Sequence, residues 1–225
     1  GCSFDASGVG RYGFAQGAYP GGGIFKSTDG ENFTAIPSTI PSAYEPGLEW
    51  VAINRIRVNP NNAQEIYAGT NKGLRVSTDG GQTWNNPLKI DYPSCNIPGT
   101  NFIDDIEIMD NGRVLVGHNG TLFISDNGTQ DCSYVKKSID AGIPENAQRI
   151  DIDFCDSEQS KVYVVQVANG GQLRGVYESD DAGNSFADLV PAPPSQAIDS
   201  TFLLFGDNGQ GFYDLALEVY PDDPE

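Results

Sequence analysis

Ser77-Thr78-Asp79-Gly80-Gly81-Gln82-Thr83-Trp84 occurs in this chain in four versions. Ser179-Asp180-Asp181-Ala182-Gly183-Asn184-Ser185-Phe186 matches it at every key position, giving Ser-x-Asp-x-Gly-x-(Ser/Thr)-aromatic. Ser27-Thr28-Asp29-Gly30-Glu31-Asn32-Phe33 is one residue shorter. Ser125-Asp126-Asn127-Gly128-Thr129-Gln130-Asp131-Cys132 has decayed, with Asn127 at the acidic position and Cys132 at the aromatic one. The leading serines step by 50, 48 and 54 residues, a period typical of repeat folds.

The intervals repeat as well. Ahead of each later phrase runs an alternating strand, Asn54–Val58, Asp104–Ile108 and then Ile150–Phe154, with apolar residues at every second position. A turn follows, then a more apolar run such as Glu65–Gly69, Val114–Gly117 or Lys161–Val165. A third strand leads into the phrase and a fourth leaves it. Helical periodicity is absent. The fold class is therefore all-β, and four antiparallel strands in roughly 50 residues make one blade of a β-propeller. In the hairpin between third and fourth strands, Asp accepts hydrogen bonds from amides of its own turn. Gly supplies the positive φ, and the aromatic inserts between sheet faces.

The phrase resembles the Asp-box, or bacterial neuraminidase repeat, of sialidases, sortilin-type receptors, xyloglucanase-like glycosidases and photosystem assembly factors. In those families the box is a folding element remote from the active face. The resemblance therefore implies structural roles for Ser27, Asp29, Phe33, Ser77, Asp79, Gly81, Trp84, Ser179, Asp181, Gly183 and Phe186. It covers nearly the whole chain, so residues 1–225 read as one partial propeller domain, with boxes at 27–33, 77–84, 125–132 and 179–186. Residues 209–225 read as the start of a further blade, because Leu217, Val219 and Pro221 fall where Ile56, Val58 and Pro60 fall earlier. The count is about three full blades and two part-blades. Propellers close with roughly four to eight. The expected partners are the missing blades of the same parent chain, with a second copy completing the ring as the alternative.

With 31 acids against 13 bases the net charge is −18, which repels phosphate backbones and excludes nucleic acid as a partner. No stretch approaches the roughly 20 apolar residues of a transmembrane segment. The acids are scattered and form no Asp-x-Asp-x-Asp-Gly loop, so no metal and no cofactor is expected. The chain does not begin with Met, which reads as a removed leader or a piece of something larger, and places the protein outside the cell or on its surface. Cys2, Cys95, Cys132 and Cys155 form no Cys-x-x-Cys pair and allow three connectivities. Cys132 ends one box and Cys155 sits in the next first-to-second turn, on the same propeller face, which makes Cys132–Cys155 the first choice.

Propeller ligands gather where inner strands begin, opposite the boxes. Aligning those strands brings forward Asp104, Asp105, Asp151 and Asp214 as catalytic candidates, and Trp50, Arg55, Arg149 and Tyr213 as ligand-binding candidates. Carboxylates, arginines and aromatic faces suit a sugar. Each position also has a plain reading as a solvated strand residue. A sialidase resemblance requires an Arg-Ile-Pro element, and a xyloglucanase-like one an Arg-Thr-Asp-Ile-Gly-Gly segment; neither is present. His118 is the sole histidine, without the companions of a triad. The sequence thus points to a recognition or scaffold module binding a glycan or protein ligand. The alternative is part of a glycoside hydrolase with catalytic residues elsewhere.

Overall fold

The structure is a computed structural model that describes residues 21–43, 48–88, 102–189, 211 and 215–222. Cys2, Cys95, Tyr213 and Asp214 lie outside these residues. Four antiparallel sheets follow one another along the chain. The first pairs β1 (Phe25–Lys26) with β2 (Thr34–Ala35). The second holds β3 (Ile53–Asn59), β4 (Asn62–Thr70) and β5 (Gly73–Ser77), and a bridge from Val76 to Asn85 stands where a fourth strand would lie. The third runs β6 (Ile103–Ile108), β7 (Val114–His118), β8 (Thr121–Ser125) and β9 (Val135–Lys136). The fourth repeats that order with β10 (Arg149–Cys155), β11 (Glu158–Val167), β12 (Leu173–Ser179) and β13 (Ala187–Asp188). Each sheet is a meander, and the chain is an all-β part-propeller without a closed sheet among the described residues. The outermost strands are two residues long, which leaves little exposed edge for another chain to pair with.

Alternation along each strand sends one set of side chains to the preceding blade and the other to the following one. Tyr67, Leu74, Val76 and Leu88 of the second blade thus close a core with Ile106, Ile108, Phe123 and Tyr134 of the third. Leu115, Leu122 and Ile124 of the third do the same with Ile152, Phe154, Tyr177 and Phe186 of the fourth. Gly69 and Gly117 occupy matching positions opposite Arg55 and Asp105. A Cβ on Gly117 would stand 2.5 Å from Ile150 Cγ2, so glycine there sets how closely neighbouring blades approach.

The phrase turns share one hydrogen-bond scheme. Asp79 accepts the amides of Gln82 and Thr83 at 2.9 Å, the Thr83 hydroxyl at 2.6 Å and the Ser77 hydroxyl at 2.8 Å. Asp181 accepts the Ser185 amide and hydroxyl at 2.8 and 2.6 Å, with Ser179 Oγ at 2.8 Å. Asp29 gathers Ser27, Glu31 and Asn32 in the same way. These donors, led by the Thr83 hydroxyl, hold the Asp79 carboxyl down at about 2. Gly81, at φ +94°, donates its amide to Ser77 Oγ at 2.8 Å. An L side chain is strained at that φ, and its Cβ would also press on Ile36.

Each turn's aromatic plugs the seam toward the preceding blade: Trp84 packs with the core of Ile24, Ile36, Trp50 and Ala68, and Phe186 with Leu115, Ile124 and Ile143. In the decayed copy Tyr134 takes this place, two residues beyond Cys132, its hydroxyl donating to Gly128 O at 3.0 Å. The longer turn carries the aromatic further along the chain, which sequence spacing conceals. Phe33 departs from the scheme. It is 62% exposed, because no preceding blade lies against it among the described residues. The same step in burial marks the inner strands: Ile56 is 41% exposed, while the matching Ile106 and Ile152 are 0% and 2%.

The Cys132–Cys155 pairing expected from topology is not formed. Cys132 is disulfide-bonded, but not to Cys155, which is a buried free thiol. The bulge between Phe154 and Cys155 turns its Sγ onto the 215–222 segment, where it reaches Pro221 O at 3.3 Å and Tyr220 O at 3.6 Å.

Candidate functional site

The inner strands β3, β6 and β10 lie side by side, and their polar residues meet in two rungs. In the first, Arg55 forms an ion pair through Nε with Asp105, and its Nη2 lies 3.8 Å from Asp151. Arg149 grips Asp151 with Nε at 3.1 Å and Nη2 at 3.2 Å, a two-point guanidinium–carboxylate contact. In the second, two positions along each strand, Arg57 pairs with Glu107 through Nε at 2.9 Å and through Nη2. Asp153 stands at the matching position of β10. Period-2 alternation makes the second rung inevitable once the first exists. Arg57, Glu107 and Asp153 were therefore legible as companions of Arg55, Asp105 and Asp151, although the sequence reading passed over them.

The same side chains fasten one blade to the next through its backbone. Asn54 Nδ2 donates to Ile103 O at 3.0 Å, and Asp105 Oδ2 accepts the Ile152 amide at 2.8 Å. Asp153 Oδ2 accepts the Val219 amide at 2.5 Å, and Arg149 Nη2 donates to Leu215 O at 3.0 Å. Residues 215–222 therefore run along β10 as β6 and β10 run along their predecessors. Asp105 is fully buried and accepts from Arg55, from its neighbour's amide on Ile106 and from Ile152. Burial pushes Asp151 up to about 6, against the pull of Arg149 and Arg55 and with added repulsion from Asp105. Burial likewise pushes Glu107 up to about 7, with Arg57 opposing the rise and Asp105 and Asp153 adding to it.

The other candidates fall elsewhere. Asp104 points away from the rungs and accepts the Gly120 amide at 2.6 Å. Trp50, expected at the ligand face, is instead 8% exposed, its ring 4.9 Å from that of Trp84 in the core. Its backbone takes φ +70°. His118 is buried edge-on to Phe123 at 5.8 Å. The remaining candidates, Tyr213 and Asp214, lie outside the described residues. Among those residues no group of three or more His, Cys, Asp or Glu side chains could hold a metal, and no helix is long and apolar enough to cross a membrane.

No family model matches the sequence, and no curated protein matches it. Solved structures do. An ancestral GH74 enzyme aligns at 19% identity over 78% of this chain and 22% of its own, with a TM-score of 0.51. The GH74 enzyme of Niastella koreensis aligns at 16% identity over 75% and 26%, with a TM-score of 0.54. The GH74 xyloglucanase from Xanthomonas campestris aligns at 18% identity over 76% and 28%, with a TM-score of 0.50. The chain spans about a quarter of the length of these proteins. At such identities the likeness is one of fold, and that fold is of the propeller type.

Proposed function

We propose that the chain is part of an exported or cell-surface Asp-box β-propeller that acts as a recognition or scaffold module for a glycan or protein ligand. The observation that supports this most is the engagement of the inner-strand acids. Asp105 has each carboxylate oxygen accepting a donor, and Asp151 is held by two guanidiniums, so both serve blade-to-blade cohesion. A glycoside hydrolase instead needs one carboxylic acid and one carboxylate facing a sugar across a gap of about 5–10 Å. The uncovered faces of Phe33, Ile56 and Val58 fit further blades of the same protein, continuing the seams that bury Ile106, Ile108 and Phe186.

A second reading rests on the likeness of fold to GH74 enzymes, with Asp151 as the inner-strand acid to test. It is a hydrolase whose second carboxylate comes from another part of the polypeptide. Xyloglucan, the substrate class in the name of the Xanthomonas campestris protein, is a fitting first probe. The test incubates the chain with xyloglucan oligosaccharides, following binding by calorimetry and cleavage by reducing-sugar release. Binding without cleavage supports the recognition module. Cleavage that Asp151→Asn abolishes would overturn it in favour of the hydrolase.

A further inference from the structure

The decayed phrase is tied down differently from its sister copies. Asn127 accepts the Thr129 hydroxyl at 3.2 Å and donates to Gln130 Oε1 at 3.0 Å, where Asp79 and Asp181 draw in the amides of their own turns. A carboxamide offers one acceptor oxygen in place of two. The turn leans instead on the connection that leaves the second blade. Cys132 donates its amide to Pro87 O at 3.1 Å, and Asn85 Nδ2 donates to Asp131 Oδ1 at 3.0 Å. Leu88 is buried in the core that it shares with Tyr134. Cys132 itself takes φ +61°, a conformation that a residue with a Cβ adopts at a cost and that its surroundings must hold.

The sequence holds four cysteines, of which Cys132 is disulfide-bonded and Cys155 is a free thiol. Within one chain that leaves Cys2 and Cys95 as partners for Cys132. Cys95 lies eight residues beyond Pro87, whose carbonyl holds the Cys132 amide, and a loop of that length returns readily to the roughly 4.4–6.8 Å between Cα atoms of a disulfide. Cys2 lies nineteen residues ahead of Gly21, whose amide donates to Val51 O at the entrance to β3. That entrance is on the face opposite the boxes, so a bond from Cys2 would cross the depth of the second blade to reach the third. The shorter loop also costs less entropy to close. We propose that Cys95 and Cys132 form a disulfide that clips the connection between the second and third blades onto the third blade's box. The two thiols lose two protons and two electrons to an oxidised disulfide, which is reduced to two thiols in exchange. Arg55–Asp105 and Arg57–Glu107 fasten this seam along the inner strands, and the clip fastens it at the box face. Such a bond persists in oxidising compartments, so its presence in the natural protein rests on the exported reading above, whereas the pairing does not.

The unsubstituted chain, folded in a glutathione redox buffer, blocked at its free thiols and digested by trypsin without reduction, tests the pairing. Cleavage at Arg11, Lys89, Arg113, Lys136, Arg149 and Lys161 puts the four cysteines on separate peptides. Mass spectrometry is expected to find residues 90–113 linked to residues 114–136. Residues 1–11 linked to 114–136, a link between two chains, or blocked thiols at both Cys95 and Cys132 would overturn the proposal. Because the buffer supplies the oxidant, the result stands apart from whether the natural protein is exported. Thermal unfolding reads the consequence. Reduction should lower the folding equilibrium constant at least tenfold, roughly 3–6 °C in Tm, in the unsubstituted chain and in Cys2→Ser. It should leave the Tm of Cys95→Ser unchanged. A Cys95→Ser chain that still responds to reductant, or an unsubstituted chain that does not, would refute the clip.

Discussion

Ile106 and Ile56 occupy the same position on the inner strands of neighbouring blades, yet truncating them should have very different consequences. Ile106→Ala removes three carbons from a fully buried site between Tyr67, Val76 and Phe123. At about 0.8 kcal/mol per buried carbon the transfer loss is about 2.4 kcal/mol. An enclosed cavity of roughly 40–60 Å³, at about 24 cal/mol per Å³, brings the cost to about 3–4 kcal/mol. Ile56 is 41% exposed, so about three-fifths of the transfer loss applies and no closed cavity forms. Its truncation should cost about 1.4 kcal/mol. In urea, with a slope of about 2.5 kcal/mol/M, the midpoints should fall by about 1.4 M and about 0.6 M. Equal shifts for the two variants would refute the reasoning, because they would mean that the Ile56 face is covered in solution. In a longer polypeptide that supplies the inner strands of the first blade, the two costs should converge.

Gly120→Ala should be among the most damaging single changes, by about 3 kcal/mol or more. Its Cβ would overlap the Ala147 carbonyl at a φ of +70°, and a Tm loss of at least about 6 °C would register it. Tyr134→Phe should cost about 1–2 kcal/mol by leaving Gly128 O without the phenol donor, readable as a lower urea midpoint at unchanged slope. Cys155 should resist a thiol reagent in the native chain and react on unfolding; prompt native labelling would contradict its burial under the 215–222 segment.

Local chemistry wrote much of this protein into its sequence. The Asp–amide turns at Asp79 and Asp181 close within a few residues, and period-2 alternation assigns each strand residue to a face, so blades, strand order and the alignment of Arg55 with Asp105 and Asp151 were legible. What the sequence did not reveal depends on distances between blades. Trp50 looked like a stacking platform but packs on Trp84, and Tyr134 assumed the role that spacing gave to Cys132. Cys155 faced a carbonyl rather than a second sulfur. The acids of the inner strands read as catalytic or as solvated, and only the structure shows them fastening blades, because a carboxylate's role is set by which donors reach it and how far water is excluded. Only the packing of β3, β6 and β10 against one another brought Arg55, Arg57 and Arg149 together with Asp105, Glu107 and Asp151.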